Sequence, residues 1–175
     1  LLGQSSTGLC GGVSGGSEMK FSLILCTVGR IEEPKRFLTS LEAQAYRDYE
    51  LIVVDQNPDD RLIPILEHYK DRFPILHLRS ERGLSRARNV GLKHISGDIV
   101  AFPDDDCWYP EKLLDSVARS FRENPDVAGL TGRSVDENGK PSGGRWDMGS
   151  GPINRFNIWR RGISYSIFLR RRVVD

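Results

Sequence analysis

No stretch of this 175-residue chain stays apolar for the roughly 20 residues that a bilayer-spanning helix requires. Neither sign of charge is in excess: 25 Lys and Arg stand against 24 Asp and Glu. A net charge of +1 provides no basic field, which argues against nucleic acid as a partner. Cysteine is scarce, with only Cys10, Cys26 and Cys107. An odd number without metal-ligand spacing excludes a disulfide framework and an ordinary zinc site, and it favours a reducing cytoplasm. The histidines His68, His77 and His94 are scattered over predicted helices and a strand and read as structural or surface residues. No Ser-His-Asp or Cys-His arrangement is evident. The chain has neither the G-x-G-x-x-G dinucleotide fingerprint nor the G-x-x-x-x-G-K-[ST] phosphate loop, so a dehydrogenase of the Rossmann type and a P-loop enzyme are disfavoured.

What is present begins after a Gly- and Ser-rich stretch. Residues 1–18 (LLGQSSTGLCGGVSGGSE) have no periodic apolar pattern and none of the marks of a signal peptide, and they read as a flexible leader. From residue 19 to 175 the pattern is that of one domain. Phe21–Cys26, Leu51–Val54, Ile75–Leu78 and Ile99–Phe102 are short apolar runs of the kind found in strands buried on both faces. Val127–Leu130 and Ser164–Leu169 are predicted as two further strands. Helices are expected between them. One starts near Pro34, with Glu32 and Glu33 at its positive end and Phe37, Leu38, Leu41 and Ala45 on one face. A second carries Ile63, Leu66 and Tyr69. A third is capped by Ser85 and runs to about Ile95, with Gly97 near its C-terminus. A fourth is opened by Pro110 and carries Leu113, Leu114, Val117 and Phe121. Asn138-Gly139 signals a hairpin, and Gly143 to Asn157 reads as loop. Strand and helix therefore alternate. That predicts an α/β fold, an open and mainly parallel sheet with helices on both faces. Such sheets bind ligands beyond the carboxyl ends of their strands.

Three strand ends carry chemistry. Asp104, Asp105 and Asp106 follow a buried strand directly. Adjacent carboxylates repel one another and are stable where water or a cation separates them, and oxygen ligands suit Mg2+ or Mn2+. A solvated acidic turn has the same composition. Asp55 ends the second strand, where a carboxylate can accept hydrogen bonds from a base or ribose, or merely shape a turn. The segment Gly83-Leu84-Ser85-Arg86-Ala87-Arg88-Asn89-Val90-Gly91-Leu92, wound as a helix, places Leu84, Ala87, Gly91, Leu92 and Ile95 on one face. Arg86, Asn89 and Lys93 fall on the other. Arg88 falls inside the apolar stripe, so a carboxylate or phosphate should meet it. Gly83 and Gly91 would let backbone approach a ligand and the sheet, respectively.

In this order and rough spacing, FSLILCTVGR, LIVVDQNPDD, RGLSRARNVGL and GDIVAFPDDDCWYPEKL together resemble the family 2 glycosyltransferases, from about Lys20 to Phe121. The resemblance implies a GT-A fold and its Rossmann-like nucleotide-binding half. It also implies transfer of a sugar from a UDP- or GDP-sugar to a glycan or lipid-linked acceptor, with inversion, in polysaccharide or glycoconjugate synthesis. By resemblance, Thr27 and Arg30 line the nucleotide pocket and Asp55 meets the base or ribose. Gly83, Arg88 and Asn89 shape the pocket near the phosphates. Asp104 and Asp105 belong to the donor site, and Asp106 with Asp104 holds Mn2+ or Mg2+. Gln56-Asn57-Pro58 departs from the acidic or small polar run usual in the family.

The general base of inverting members lies further downstream. Asp147 and Asp175 stand in no matching context, so the acceptor side is expected to be incomplete and transfer by this chain alone weak or absent. Trp146, Trp159 and Arg170-Arg171-Arg172 are candidates for contact with an acceptor or the inner face of a membrane, or for self-association. Two other functions share the strand-end chemistry: a nucleotidyltransferase, whose usual Gly-rich, Lys-containing first loop CTVGRIEEP does not supply, and a nonenzymatic nucleotide-sugar-binding module.

Overall fold

The computed structural model describes residues 19–136, 138–142 and 149–175. The predicted leader, Trp146 and Asp147 lie outside the described residues. The elements follow in the order β1 (Phe21–Thr27), α1 (Glu32–Glu42), β2 (Tyr49–Asp55), α2 (Ile63–Tyr69), β3 (Ile75–Arg79), α3 (Leu84–Leu92), β4 (Ile99–Ala101), α4 (Leu113–Glu123), β5 (Gly129–Thr131), α5 (Ile158–Arg161) and β6 (Ile167–Arg170).

Six strands form one sheet in the order β3-β2-β1-β4-β6-β5. The first four are parallel neighbours, with Phe21 level with both Tyr49 and Ile99. β6 then runs antiparallel to β4 and to β5. The continuous apolar runs of β1 and β2 are explained by cover on both faces. Leu23, Leu25, Leu51 and Val53 pack under α1, α2 and α4 with Phe37, Leu38, Leu66 and Phe121. The alternate residues Ile24, Cys26, Ile52 and Val54 pack on the other face against Ala87 and Ile95. This alternation of period two divides one strand between two cores.

Several local expectations need correction. Ser85 does not cap α3; the cap position is Gly83, at φ +136°, which has no side chain to bond the first helical N–H groups. Leu84 is 49% exposed rather than packed on the sheet, because the chain is still turning into the helix there. The helix stops at Leu92, and Gly97 lies in the following loop, where a Cβ would come within 2.6 Å of Lys20 O. Ala45 lies beyond the end of α1 and is exposed. α4 begins at Leu113, three residues after Pro110, and its Leu114 N–H is capped from a distance by Gln44 Oε1 at 3.2 Å. β5 and β6 are displaced toward the C-terminus from the predicted runs, since Ser164–Ser166 forms a 3-10 turn before β6. The hairpin at Asn138-Gly139 is present: Val135 bridges Pro141 and Gly139 has φ +76°.

Candidate functional site

The parallel strands β1, β2 and β4 end side by side, and their carboxyl ends gather nearly all the predicted residues. Cys26 bridges Asp104 in parallel fashion, which keeps the β1–β4 register three residues past the end of β4 and sets the acidic run beside the end of β1. Thr27 Oγ1 donates to Asp105 Oδ2 at 2.6 Å. Arg30 Nη1 reaches both Asp105 Oδ1, at 2.7 Å, and Asp106 Oδ2, at 2.8 Å. Arg88 Nη2 approaches Asp104 Oδ1 at 3.3 Å, and its guanidinium lies 5.3 Å from the Phe102 ring centroid. The expected partner of Arg88 is therefore present, at half-buried rather than full depth. The side chain of Asp105 is 12% exposed, that of Asp106 54% and that of Arg30 44%. Burial, before any charge effect, raises the Asp104 carboxyl above its ordinary value. Arg88 opposes that shift, and Asp106 and Asp105 reinforce it.

Asp55 sits differently from a carboxylate with a free edge. It is fully buried. Its Oδ1 accepts from the Asn57 backbone N–H and side-chain amide, each at 2.8 Å. Its Oδ2 meets His77 Nε2 at 3.1 Å and Arg79 Nη1 at 3.0 Å. Sequence reasoning missed this group, although His77 and Arg79 stand two residues apart on β3 and so share a face.

Gln56 and Asn57, the departure from the family pattern, act as straps. Gln56 Oε1 accepts the Gly83 N–H at 2.7 Å, and Asn57 Oδ1 accepts the Gly29 N–H at 2.6 Å. Both glycines have positive φ, +136° and +74°, a region that L side chains rarely adopt. The two amides thus fix the loops after β1 and before α3 to the end of β2. Asn89 lies on the exposed side of α3, roughly 100° around the helix from Arg88.

Beside Asp106 opens a cavity of about 360 Å³, with Arg36, Trp108, Tyr109, Arg133, Tyr165 and Phe168 among its lining residues. Arg36 Nη2 donates to the Asp106 carbonyl at 3.1 Å. Tyr109 is 6% exposed, and its hydroxyl has no hydrogen-bond partner among the described residues. Burial pushes that hydroxyl well above its ordinary value. Trp108, Tyr109 and Gly132, Arg133, Ser134 and Val135, which follow β5, were not singled out as site residues from the sequence. The PDDDCWYP run alone held a signal for the first two.

Among the described residues no three acidic, His or Cys side chains converge into a ready-made metal cage. The chemistry of the end of β4 nevertheless fits a divalent cation of the kind that takes one or two carboxylates and completes its shell with phosphate oxygens. Here a guanidinium nitrogen occupies the gap between the Asp105 and Asp106 oxygens, where such a cation would be attracted.

A mainly parallel sheet with acidic and basic loops at its carboxyl edge is an α/β domain of the kind that takes ligands at that edge. The sequence pattern of Glycosyl transferase family 2 matches residues 22–173, and the chain belongs to that family. An uncharacterized glycosyltransferase of Haemophilus influenzae is 33% identical over 109 residues, 61% of this chain and 36% of that protein. The poly(ribitol-phosphate) beta-N-acetylglucosaminyltransferase TarS of Staphylococcus aureus is 31% identical over 129 residues, 70% of this chain and 22% of its own length. The structure of TarS residues 1–349 with UDP-GlcNAc superposes with a TM-score of 0.76 at 24% identity, over 89% of this chain and 46% of that one. A mannosyltransferase from Pyrobaculum calidifontis with GDP-Man and Mn2+ superposes at 0.57 and 22% identity, over 66% of this chain and 36% of that one. The fold is of the GT-A type, and the chain spans less than half the length of these relatives.

Proposed function

We propose that this domain binds the nucleoside diphosphate sugar of a glycosyl transfer reaction, with Mn2+ or Mg2+, and presents the sugar to a glycan or lipid-linked acceptor. The observation that carries the reading is the set of three strand-end carboxylates held by Arg30, Arg88 and Thr27 at the edge where such sheets bind ligands. UDP, UDP-GlcNAc and GDP-Man occupy structures of the same fold, which supports a nucleotide sugar as the donor.

Asp106, the most exposed of the three carboxylates, would hold the cation, with Asp104 and Asp105 beside it. When bound, the cation supplies Lewis-acid stabilisation of the departing diphosphate. Arg88 adds fixed positive charge near where that negative charge develops, and Arg30 adds a second, more exposed positive charge. Asp55 acts through its neighbours: it orients Asn57, His77 and Arg79 at the edge of the base-binding side. Gly83 and Asn89, at the start and on the open side of α3, line the approach to the phosphates. The aromatic-walled cavity beside Asp106 suits a sugar ring, whose apolar faces pack on aromatic side chains while its hydroxyls meet a polar rim.

The test is a calorimetric titration with UDP, GDP and their sugars, in Mn2+ and in EDTA. Cation-dependent binding that Asp106→Ala removes while the fold survives is expected. Equal affinity in EDTA would refute the cation role. Binding without transfer under every acceptor condition would favour a nonenzymatic binding module.

No helix among the described residues is long and apolar enough to cross a membrane. Phe156 and Trp159 are 79% and 90% exposed in a segment that also carries Arg155, Arg160 and Arg161. We assign this face to a lipid-linked acceptor at the inner, cytoplasmic side of a membrane, where aromatic and basic side chains are favoured together. Co-sedimentation with anionic vesicles, lost in Trp159→Ser, is the expected result. Binding by both proteins or by neither would remove the assignment.

A further inference from the structure

We propose that Arg30 is an internal substitute for the divalent cation, and that cation binding hands its guanidinium over from Asp105 and Asp106 to the donor's diphosphate. The inference rests on the cation-dependent donor reading above and adds a moving part to it.

The geometry is specific to this one arginine. A single nitrogen, Nη1, lies 2.7 Å from Asp105 Oδ1 and 2.8 Å from Asp106 Oδ2. Divalent cations of this kind sit about 2.0–2.6 Å from their oxygen ligands, so an ion between those two oxygens would overlap the guanidinium nitrogen and repel its charge. The two cannot share the gap. Arg88, by contrast, is 19% exposed, lies over Phe102 and, among the described residues, pairs with Asp104 alone, away from the Asp105–Asp106 gap.

Arg30 is also placed to leave. Its side chain is 44% exposed, so water replaces lost hydrogen bonds at little cost. It follows Gly29, at φ +74°, in the exposed four-residue loop between β1 and α1. Behind the arginine the loop is anchored by the Gly29 N–H on Asn57 Oδ1, and ahead of it the Ile31 carbonyl accepts the Lys35 N–H at 3.2 Å, so the backbone is held at both sides while the side chain is free to swing.

Charge supplies the coupling. Asp104, Asp105 and Asp106 are balanced by Arg30, Arg88 and the adjacent Arg36. A divalent cation alone would leave this cluster with surplus positive charge. A diphosphate removes the surplus and offers the displaced guanidinium a pair of oxygens that match its planar fork. Without donor, Arg30 competes with the cation; with donor, it contributes to holding the diphosphate.

Arg30→Gln should therefore shift two affinities in opposite directions, which a merely structural role would not do. Mn2+ binding without nucleotide, read from the free Mn2+ resonance, should tighten roughly two- to fivefold, the range for losing an exposed ion pair. UDP or GDP binding at saturating Mn2+ should weaken roughly three- to tenfold, as for loss of a charge-assisted phosphate contact. Arg30→Lys should fall between, and circular dichroism should show an unchanged fold for both. Mn2+ affinity that is unchanged or weaker in Arg30→Gln overturns the proposal, as does absence of Mn2+ binding in both proteins. Tighter Mn2+ binding in the variant, with neither form binding nucleotide, would refute the donor reading and the handover, leaving Arg30 as a counter-ion alone.

Discussion

The two ends of the parallel sheet carry similar residues in opposite arrangements. At the amino ends of β1 and β2, Glu50 is closed in by its partners. Ser22 Oγ donates to its Oε1 at 2.6 Å and the Ser96 N–H at 2.7 Å, while Lys20 Nζ reaches its Oε2 at 2.9 Å and Ser96 Oγ at 2.7 Å. Burial alone would raise its carboxyl, but these donors outweigh it and bring the value down to about 2. At the carboxyl ends, the three carboxylates are met by two partly exposed arginines, Arg30 serving an oxygen of both Asp105 and Asp106 and Arg88 one of Asp104, and burial holds Asp104 above its ordinary value. One end is satisfied within itself and stabilises the fold. The other retains charge that a ligand can use.

Substitution should separate the two ends clearly. Glu50→Ala leaves Lys20, Ser22 and the Ser96 N–H without their acceptor and should cost on the order of 3 kcal/mol in chemical denaturation. Asp106→Ala, at the open end, should change stability by less than about 0.5 kcal/mol. Equal losses at both ends would dissolve the contrast.

Acid titration sharpens it through the sign of each shift. Glu50 is lowered from 4.5 to about 2, so its stabilisation is fully present above pH 4.5 and is lost as pH falls toward 2. That loss amounts to roughly 3 kcal/mol at most, at about 1.4 kcal/mol per pH unit, and less because the side chain keeps some solvent contact. Asp104 is raised and contributes in the opposite direction: folding gains from its protonation as pH falls. Glu50→Gln should therefore flatten the acid limb of a stability–pH curve. A limb as steep as the wild type's would mean that other carboxylates set it.

A smaller effect is expected within the open end. Arg88→Ala removes a half-buried partner of Asp104 and a contact with Phe102, and should cost about 1–2 kcal/mol. Arg86→Ala breaks only an exposed pair with Glu81 and should stay within about 0.5 kcal/mol. Thermal melts of the two variants check the order.

The smallest effect is a lack of reaction. Burial pushes the Cys26 thiol up to about 11 and the Cys107 thiol up to about 12, so both remain protonated near pH 8. Iodoacetamide should leave both unmodified over a time that labels a model thiol. Rapid labelling of Cys107 would show that the Asp104–Asp106 loop opens.

Much of the fold was legible because buried parallel strands need uninterrupted apolar residues, and FSLILC, LIVV and IVAF have them. The start of α3 was not. Ser85 has good cap chemistry and Leu84 good apolar character, yet Gly83 takes the cap position through its positive φ and its bond to Gln56. Arg88 was legible as a residue in need of a carboxylate, because its helical position lay among apolar neighbours. The enclosure of Asp55 was not, since it depends on His77 and Arg79 arriving from the adjacent strand at the matching register.

By itself, the sequence determined the alternation of strands and helices, the two-sided burial of β1 and β2, and the placing of Asp55 and Asp104–Asp106 at strand ends. These follow from local periodicity and from where apolar runs stop. Tertiary structure alone decided the order β3-β2-β1-β4-β6-β5, the antiparallel return of β6, and the pairing of Arg30 with two carboxylates 75 and 76 residues away. Those depend on which strands become neighbours, and no pattern within a single segment encodes a neighbour.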